Sequence, residues 1–407
     1  SYLVHLTPLP IDQIFFTIFY NRMKALCTKK AVFFIGTVLI LLLIYFNGMK
    51  TVTSRYLIIS DSQKTISDRT LVKSEVIQNL TEAEESKDVM KYILQWTSPK
   101  TVPFEYMGEG QKGFIERKCP YTNCIVTGNR LYLGNYSKFD VIAFAGPQLV
   151  NSHDLPKTRS PHQKYVFASI ESSDNYPTCS NRFDRYFNWT WTFKLDSEVR
   201  WGYLTIRDKN NMIVGPNKQM HWIKLEDMDP VSADFKEQLK TKTEAAAWFV
   251  SNCYTRSRRE DIVKKLKEEL HKYKMDVDIY AECNKLIQKT YYFYLSFENS
   301  FSEDYVTEKL LHALNNNAVP IVYGGANYTR ELSIKELAAK MNELINDPAK
   351  YSEYFKWKNH YSYYRKSESV ETDPYCLFCT TLNDKEMVKK TTIIENFRKW
   401  WDPPGRC

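Results

Sequence analysis

The sequence predicts an α/β protein built as two blocks of alternating strands and helices, joined near residues 225–240. Short, continuous apolar runs at 139–144 and 164–170 have the length and the lack of alternation of strands buried on both faces. A second set of such runs opens at 245–250 and continues at 277–280 and 291–297. Between them, the stretch 256–273 carries Ile262, Leu266 and Leu270 at four-residue intervals, the spacing of an amphipathic helix.

Taken in order, residues 1–30 read as a cytosolic tail. The run 31–46 has no charge and extends through Asn47, Gly48 and Met49 before Lys50. Residues 31–49 are at the short end for a transmembrane helix, which suits the thinner early secretory membranes. Arg22, Lys24, Lys29 and Lys30 precede the run, so the positive-inside rule leaves the N-terminus cytosolic. A cleaved signal peptide competes with this reading, but no small-residue cleavage site follows the apolar stretch. Cys27 is a palmitoylation candidate or an inert thiol. Residues 50–90, rich in Ser, Thr, Lys, Glu and Gln, read as a stem. The run 91–96 is the first strand of a head divided into 91–235, 236–365 and a tail 366–407.

Apolar content of 43% and aromatic content of 14% imply a sizeable core. The net charge of +8 is spread out, without the basic stripe or reader motif of a nucleic-acid binder. Eight of the nine cysteines lie beyond the apolar run, as do four N-x-Ser/Thr sequons, at Asn79, Asn135, Asn188 and Asn327. Both fit an oxidising, glycan-adding compartment. Cys119 with Cys124 and Cys376 with Cys379 lack His partners at zinc spacing and read as disulfide candidates.

The most informative stretch is 291–309. An apolar run ends in Glu298 and Asn299, a polar loop follows, and Asp304, Tyr305, Thr307, Glu308 and Lys309 open a helix. Strand, polar loop and helix N-terminus together place side chains and backbone N–H groups around a phosphate-bearing ligand. Residues 318–325 read as the next buried strand and its turn.

Phe297-Glu-Asn-Ser, Asp304-Tyr-Val-Thr-Glu-Lys and Ala318-Val-Pro resemble the signature of the GDP-fucose-dependent α-1,3-fucosyltransferases, with supporting similarity across 91–407. The resemblance implies a GT-B-like pair of facing Rossmann-like domains, preceded by a single transmembrane helix and a stem. The first would bind the acceptor and the second GDP-fucose. It implies a single-pass type II Golgi membrane enzyme that inverts configuration while moving fucose to the 3-hydroxyl of an N-acetylglucosamine in glycoprotein N-glycans. It also implies bridges between the two cysteine pairs, stapling the tail to the first domain, and no obligatory metal, with Mn2+ at most stimulatory. An anionic sugar nucleotide suits the net charge.

Such a transfer needs a base for the acceptor hydroxyl and cations for the departing diphosphate. The resemblance points to Glu171 as base, at the end of the strand run 163–172; Ile170 and Ser173 replace the family's aromatic residue and proline. Arg259 and Lys309 are the diphosphate candidates, one offering bidentate contacts and the other a compact charge. Asn299, Tyr305 and Glu308 complete the GDP-fucose site by resemblance, although Glu308 in a first helical turn also satisfies capping electrostatics. The Asp227/Asp229 and Asp276/Asp278 pairs read as structural, not as a metal site.

The resemblance breaks in two places. The chain passes from Asn327-Tyr-Thr-Arg almost directly to Leu332, where the family carries a further strand. Ala281 and Asn284 stand where glycines are usual. A form with the strand restored is therefore expected to express better and turn over faster. The alternative function is a catalytically impaired, membrane-tethered glycan-binding or interaction protein.

Overall fold

The computed structural model describes residues 89–149, 153–252, 254–280, 290–326, 332–402 and 407, with the two-residue strand Leu3–Val4. The expected anchor 31–49, nearly all of the stem, Cys27, Asn79, Asn327 and the break at 327–331 lie outside these residues. Among the described residues no helix is long and apolar enough to cross a membrane.

The first sheet has six parallel strands: β1 (Lys91–Gln95), β2 (Cys124–Thr127), β3 (Val141–Ala145), β4 (Lys164–Ser169), β5 (Trp189–Thr192) and β6 (Val199–Arg200), ordered β2-β1-β3-β4-β5-β6. Every residue of β3 and β4 is buried, because a parallel sheet is covered on both faces. The apolar runs at 139–144 and 164–170 are these two strands. β7 (Leu204–Asp208) and β8 (Ile213–Gly215) then leave this sheet.

The second sheet is also all parallel, ordered β10-β9-β11-β12, from β9 (Glu244–Phe249), β10 (Val277–Tyr280), β11 (Tyr291–Phe297) and β12 (Val319–Tyr323). Helix α1 (Arg259–Leu270) follows β9 and buries Ile262, Leu266 and Leu270, as their spacing predicts. Helix α2 (Lys309–Asn315) follows β11. Helix α3 (Ile334–Asn346) opens on a capping box between Ser333 and Glu336. β13 (Tyr361–Arg365) pairs antiparallel with β7, which pairs in turn with β8. Helices α4 (Pro374–Asn383) and α5 (Phe397–Trp401) return to the first sheet, burying Tyr375, Phe378, Phe397 and Trp401 in its two hydrophobic clusters.

Several boundaries differ from those expected. Packing changes block before 225–240: Leu204 and Ile206 are already buried with α1 and α3, in the core of the second block. α1 starts at Arg259 and not at 256 because Arg258 sits at φ 52°, outside the right-handed helical region. α2 likewise starts at Lys309, five positions after Asp304, whose φ of 63° no α-helix contains. β10 is a sheet edge, and its Asp278 accepts a hydrogen bond from the Tyr291 hydroxyl at 2.6 Å.

Cys119–Cys376 and Cys124–Cys379 tie α4 to the first sheet, and a third bridge joins Cys179 to Cys407. The first two span 257 and 255 residues. Closing so long a loop contributes roughly 4–5 kcal/mol by chain-entropy estimates. Both bridges close the same loop, however, so each is nearly redundant while the other stands. Removing one pair (Cys119→Ser with Cys376→Ser) should lower Tm far less than half the loss from removing both; strictly additive losses would show that they act independently.

Asn135 is exposed and caps a short turn by accepting from the Ser137 N–H at 3.0 Å, which leaves it open to a glycan. Asn188 is a correction. It is 7% exposed, its Nδ2 donates to the Thr392 carbonyl at 2.7 Å, and its Oδ1 accepts from the Tyr165 N–H at 2.8 Å. The folded chain has no room for a sugar there.

Leu3–Val4 pairs antiparallel with Leu332–Ser333. That pairing and a cytosolic tail at 1–30 exclude each other if the head is lumenal.

Candidate active site

Ligands of parallel α/β sheets bind beyond the carboxyl ends of the strands. Here the loops at two such ends meet. The loop after β4 carries Glu171, Ser172, Ser173 and Asp174, and the loop after β11 carries residues 298–308. Ser172 Oγ lies 2.5 Å from Ser300 Oγ, and Ser173 Oγ 2.9 Å from Ser302 Oγ. Asp174 pairs with Arg256 at 3.2 Å and accepts from the Phe301 N–H at 3.3 Å. Gly325 permits the close approach of the second loop: a Cβ there would stand 2.5 Å from the Ser302 nitrogen.

Tyr305 crosses this seam. It was expected to face the sugar nucleotide, but the side chain is 2% exposed and packed in the aromatic cluster of the first sheet, edge-on to Phe193 at 4.8 Å. Its hydroxyl donates to Glu171 Oε2 at 3.2 Å. Tyr305 thus joins the second loop to the Glu171 carboxylate. Burial pushes both its phenol and that of Tyr203 well above the ordinary value, and neighbouring carboxylates, Glu171 among them, add to the effect. Tyr203 completes the setting by donating to the carbonyl of Ile170.

The hub of the second loop is Glu298, 3% exposed at the end of β11. One carboxylate accepts from the Thr307 N–H at 2.8 Å, from the Thr307 hydroxyl at 2.9 Å and from Lys309 Nζ at 2.9 Å. Burial works against the Lys309 charge, but Glu298 and Glu308 outweigh it and raise its pKa. Glu308 precedes α2 without capping it; its side chain is 46% exposed and lies 3.9 Å from Lys309 Nζ. Its carboxylate is therefore available to a ligand. Asn299 Oδ1 accepts from the Ser300 hydroxyl at 3.0 Å.

Arg259 is 3% exposed, with Nη1 donating to the Phe297 carbonyl at 2.7 Å and Nη2 to the Asn252 carbonyl at 3.3 Å. Its guanidinium is thus anchored on the strand ends. Its charge opposes the rise of the Lys309 pKa, which puts the two cations in one neighbourhood. Asn299, Tyr305 and Glu308 thus lie on one loop, Lys309 follows it, Arg259 is anchored at the strand end where it begins, and Glu171 is hydrogen-bonded to it. Among the described residues the one group of metal-type ligands, Cys179, Asp402 and Cys407, is a disulfide beside a carboxylate.

Two family models match the chain, Fucosyltransferase, N-terminal over residues 88–204 and Glycosyltransferase family 10 (fucosyltransferase) C-term over 239–400. Alpha-(1,3)-fucosyltransferase C of Drosophila melanogaster is 32% identical over 317 residues, 70% of this chain and 71% of the relative. The chain belongs to the family 10 fucosyltransferases. Glycoprotein 3-alpha-L-fucosyltransferase A of the same organism is 29% identical, covering 74% of this chain and 58% of the relative. A human relative, 3-galactosyl-N-acetylglucosaminide 4-alpha-L-fucosyltransferase FUT3, is 32% identical over 50% of this chain and 56% of its own length. These relatives differ by name in the hydroxyl that they modify, the 3-position in the two Drosophila enzymes and the 4-position in the human one.

Glu298, Thr307 and Tyr203 were not among the residues expected at the site. Glu298 had a signal: a lone acid closing an apolar strand eleven positions before Lys309. Tyr203 had none, because its place depends on β7 leaving the first sheet.

Proposed function

We propose that the enzyme transfers L-fucose from GDP-β-L-fucose to the 3-hydroxyl of an N-acetylglucosamine in glycoprotein N-glycans, with inversion, in a GT-B-like cleft. Glu171 takes the proton of the attacking hydroxyl. Lys309 and Arg259, with the N-terminus of α2, stabilise the negative charge that develops on the departing GDP. Asn299 and Glu308 bind the donor. The observation that carries this reading is the 3.2 Å bond from Tyr305 to Glu171, which ties the base on the first sheet to the loop that holds Lys309. The acid–base role then comes from one sheet and the leaving-group role from the other, as a single displacement with an alcohol in place of water requires.

Radiolabelled GDP-fucose with a glycan panel tests the reading. Fucose should appear on N-acetylglucosamine at the 3-position, and GDP but not UDP should compete. Transfer only to the 4-position, or competition by UDP, would overturn it. Mn2+ is proposed as a stimulant without a dedicated protein site.

A Golgi type II anchor at 31–49 is proposed from the uncharged run and the cations before it. In sealed microsomes, externally added protease should remove residues 1–30. Protection of that tail would favour its strand pairing with Leu332–Ser333 over the anchor topology.

A further inference from the structure

Lys366, the residue after β13, belongs to none of the roles above. Its backbone N–H donates to the Tyr203 carbonyl at 3.3 Å. Its ammonium lies 3.6 Å from the centroid of the Trp201 ring and 5.8 Å from that of Tyr203. Among the described residues the ammonium has no hydrogen-bond acceptor and no ion-pair partner. A half-buried ammonium held by ring faces keeps three N–H donors open, and leaving them unmet costs free energy.

Two carboxylates act on it, Glu308 and Asp373. Asp373 is committed elsewhere: it caps α4 through the Tyr375 and Cys376 N–H groups and pairs with Arg117 at 3.5 Å. Glu308 is the exposed acid before α2, already beside Lys309. The Tyr203 hydroxyl, on the same wall as Lys366, holds the Ile170 carbonyl next to Glu171. Lys366 therefore stands on the wall that carries the base, and the Tyr203 ring beside it meets the Tyr305 ring of the donor loop edge-on, 6.1 Å between centroids.

We propose that Lys366 is a third cation of the donor site, binding the diphosphate of the sugar nucleotide alongside Lys309. The assignment rests on the donor reading above. It explains why a lysine is held on aromatic faces without an acceptor: the acceptor arrives with the ligand.

The charge state supplies the test. Burial pulls the Lys366 pKa down to about 8, although Glu308 and Asp373 oppose the shift. Of the nearby titratable groups, the Tyr203 phenol beside it is well above the ordinary value, and on α2 Lys309 is raised and His312 lowered. Binding a diphosphate favours the protonated amine. Affinity should therefore be flat below about pH 8 and fall above it, approaching tenfold per pH unit at most. The diphosphate of GDP is fully ionised there, its last phosphate pKa lying at ~6, and the guanine N1–H, which ionises only at the alkaline end of the range, does so equally for every variant. Buried Lys242, pushed down to about 7, also titrates, but it is bonded to the Tyr291 carbonyl at the opposite end of β11.

Calorimetric titration of the full chain with GDP and with GDP-fucose, between about pH 7 and pH 9.5, reads the effect. Lys366→Arg stays charged and should abolish the alkaline fall while folding as the wild type does. Lys366→Met should bind both ligands about tenfold more weakly at pH 7, with a flat profile. Wild-type affinity in Lys366→Met, an unchanged alkaline fall in Lys366→Arg, or a loss confined to GDP-fucose would each overturn the assignment. Failure of the wild type to bind GDP at all would overturn the donor reading, and the Lys366 role with it.

Discussion

Replacing Glu171 with glutamine lowers kcat by roughly 10²–10⁴-fold while GDP-fucose affinity stays near that of the wild type. Glutamine keeps the shape and an oxygen able to accept the Tyr305 hydroxyl, so the seam between the two loops survives. What it removes is the capacity to take a proton. The donor contacts lie on the other loop and do not depend on that carboxylate's charge. Tyr305→Phe should behave differently: it keeps the base but frees its orientation, so kcat falls less than in Glu171→Gln. Wild-type turnover in Glu171→Gln would remove this residue from the chemistry.

Replacing Glu298 with alanine destabilises the protein by about 3–5 kcal/mol, the usual cost of leaving one partner of a buried pair behind. The Thr307 N–H and hydroxyl lose their acceptor, and Lys309 loses its strongest counter-charge. With Glu298 present the folded-state pKa of Lys309 is raised. Its contribution is therefore complete below the ordinary lysine value and is lost as pH rises through the folded-state one. Without Glu298, burial and the repulsion from Arg259 pull that pKa down. The variant should then lose both thermal stability and GDP affinity, and lose affinity at a lower pH than the wild type. Glu298→Gln, which keeps an acceptor for Thr307 but not the charge, should recover part of the stability and little of the affinity. A Tm within a degree or two of the wild type in Glu298→Ala would show that Lys309 is held by other means.

Much of this was legible in the residues. The strands at 164–169 and 291–297, the helix bearing Ile262, Leu266 and Leu270, and the polar loop before Lys309 follow from local patterns. Parallel strands buried on both faces must be apolar throughout, and a helix with one buried stripe must repeat near every fourth residue. Glu171, Glu308 and Lys309 were singled out by the family resemblance, on segments that end or follow such strands.

Other features were settled by pairing across the chain. β7 leaves the first sheet to pair with β13, which moves the block boundary and brings Trp201, Tyr203 and Lys366 together. Asn188 carries a glycosylation sequon yet is buried by contacts with Thr392 and Tyr165. Tyr305 belongs by position to the donor motif and by packing to the other sheet's core. The sequence by itself determined the two parallel sheets and the composition of the loops at their carboxyl ends, because local periodicity encodes burial. Only the tertiary structure decided which of those polar residues touch, because contacts between distant segments depend on the summed packing of all the elements between them and leave no local trace.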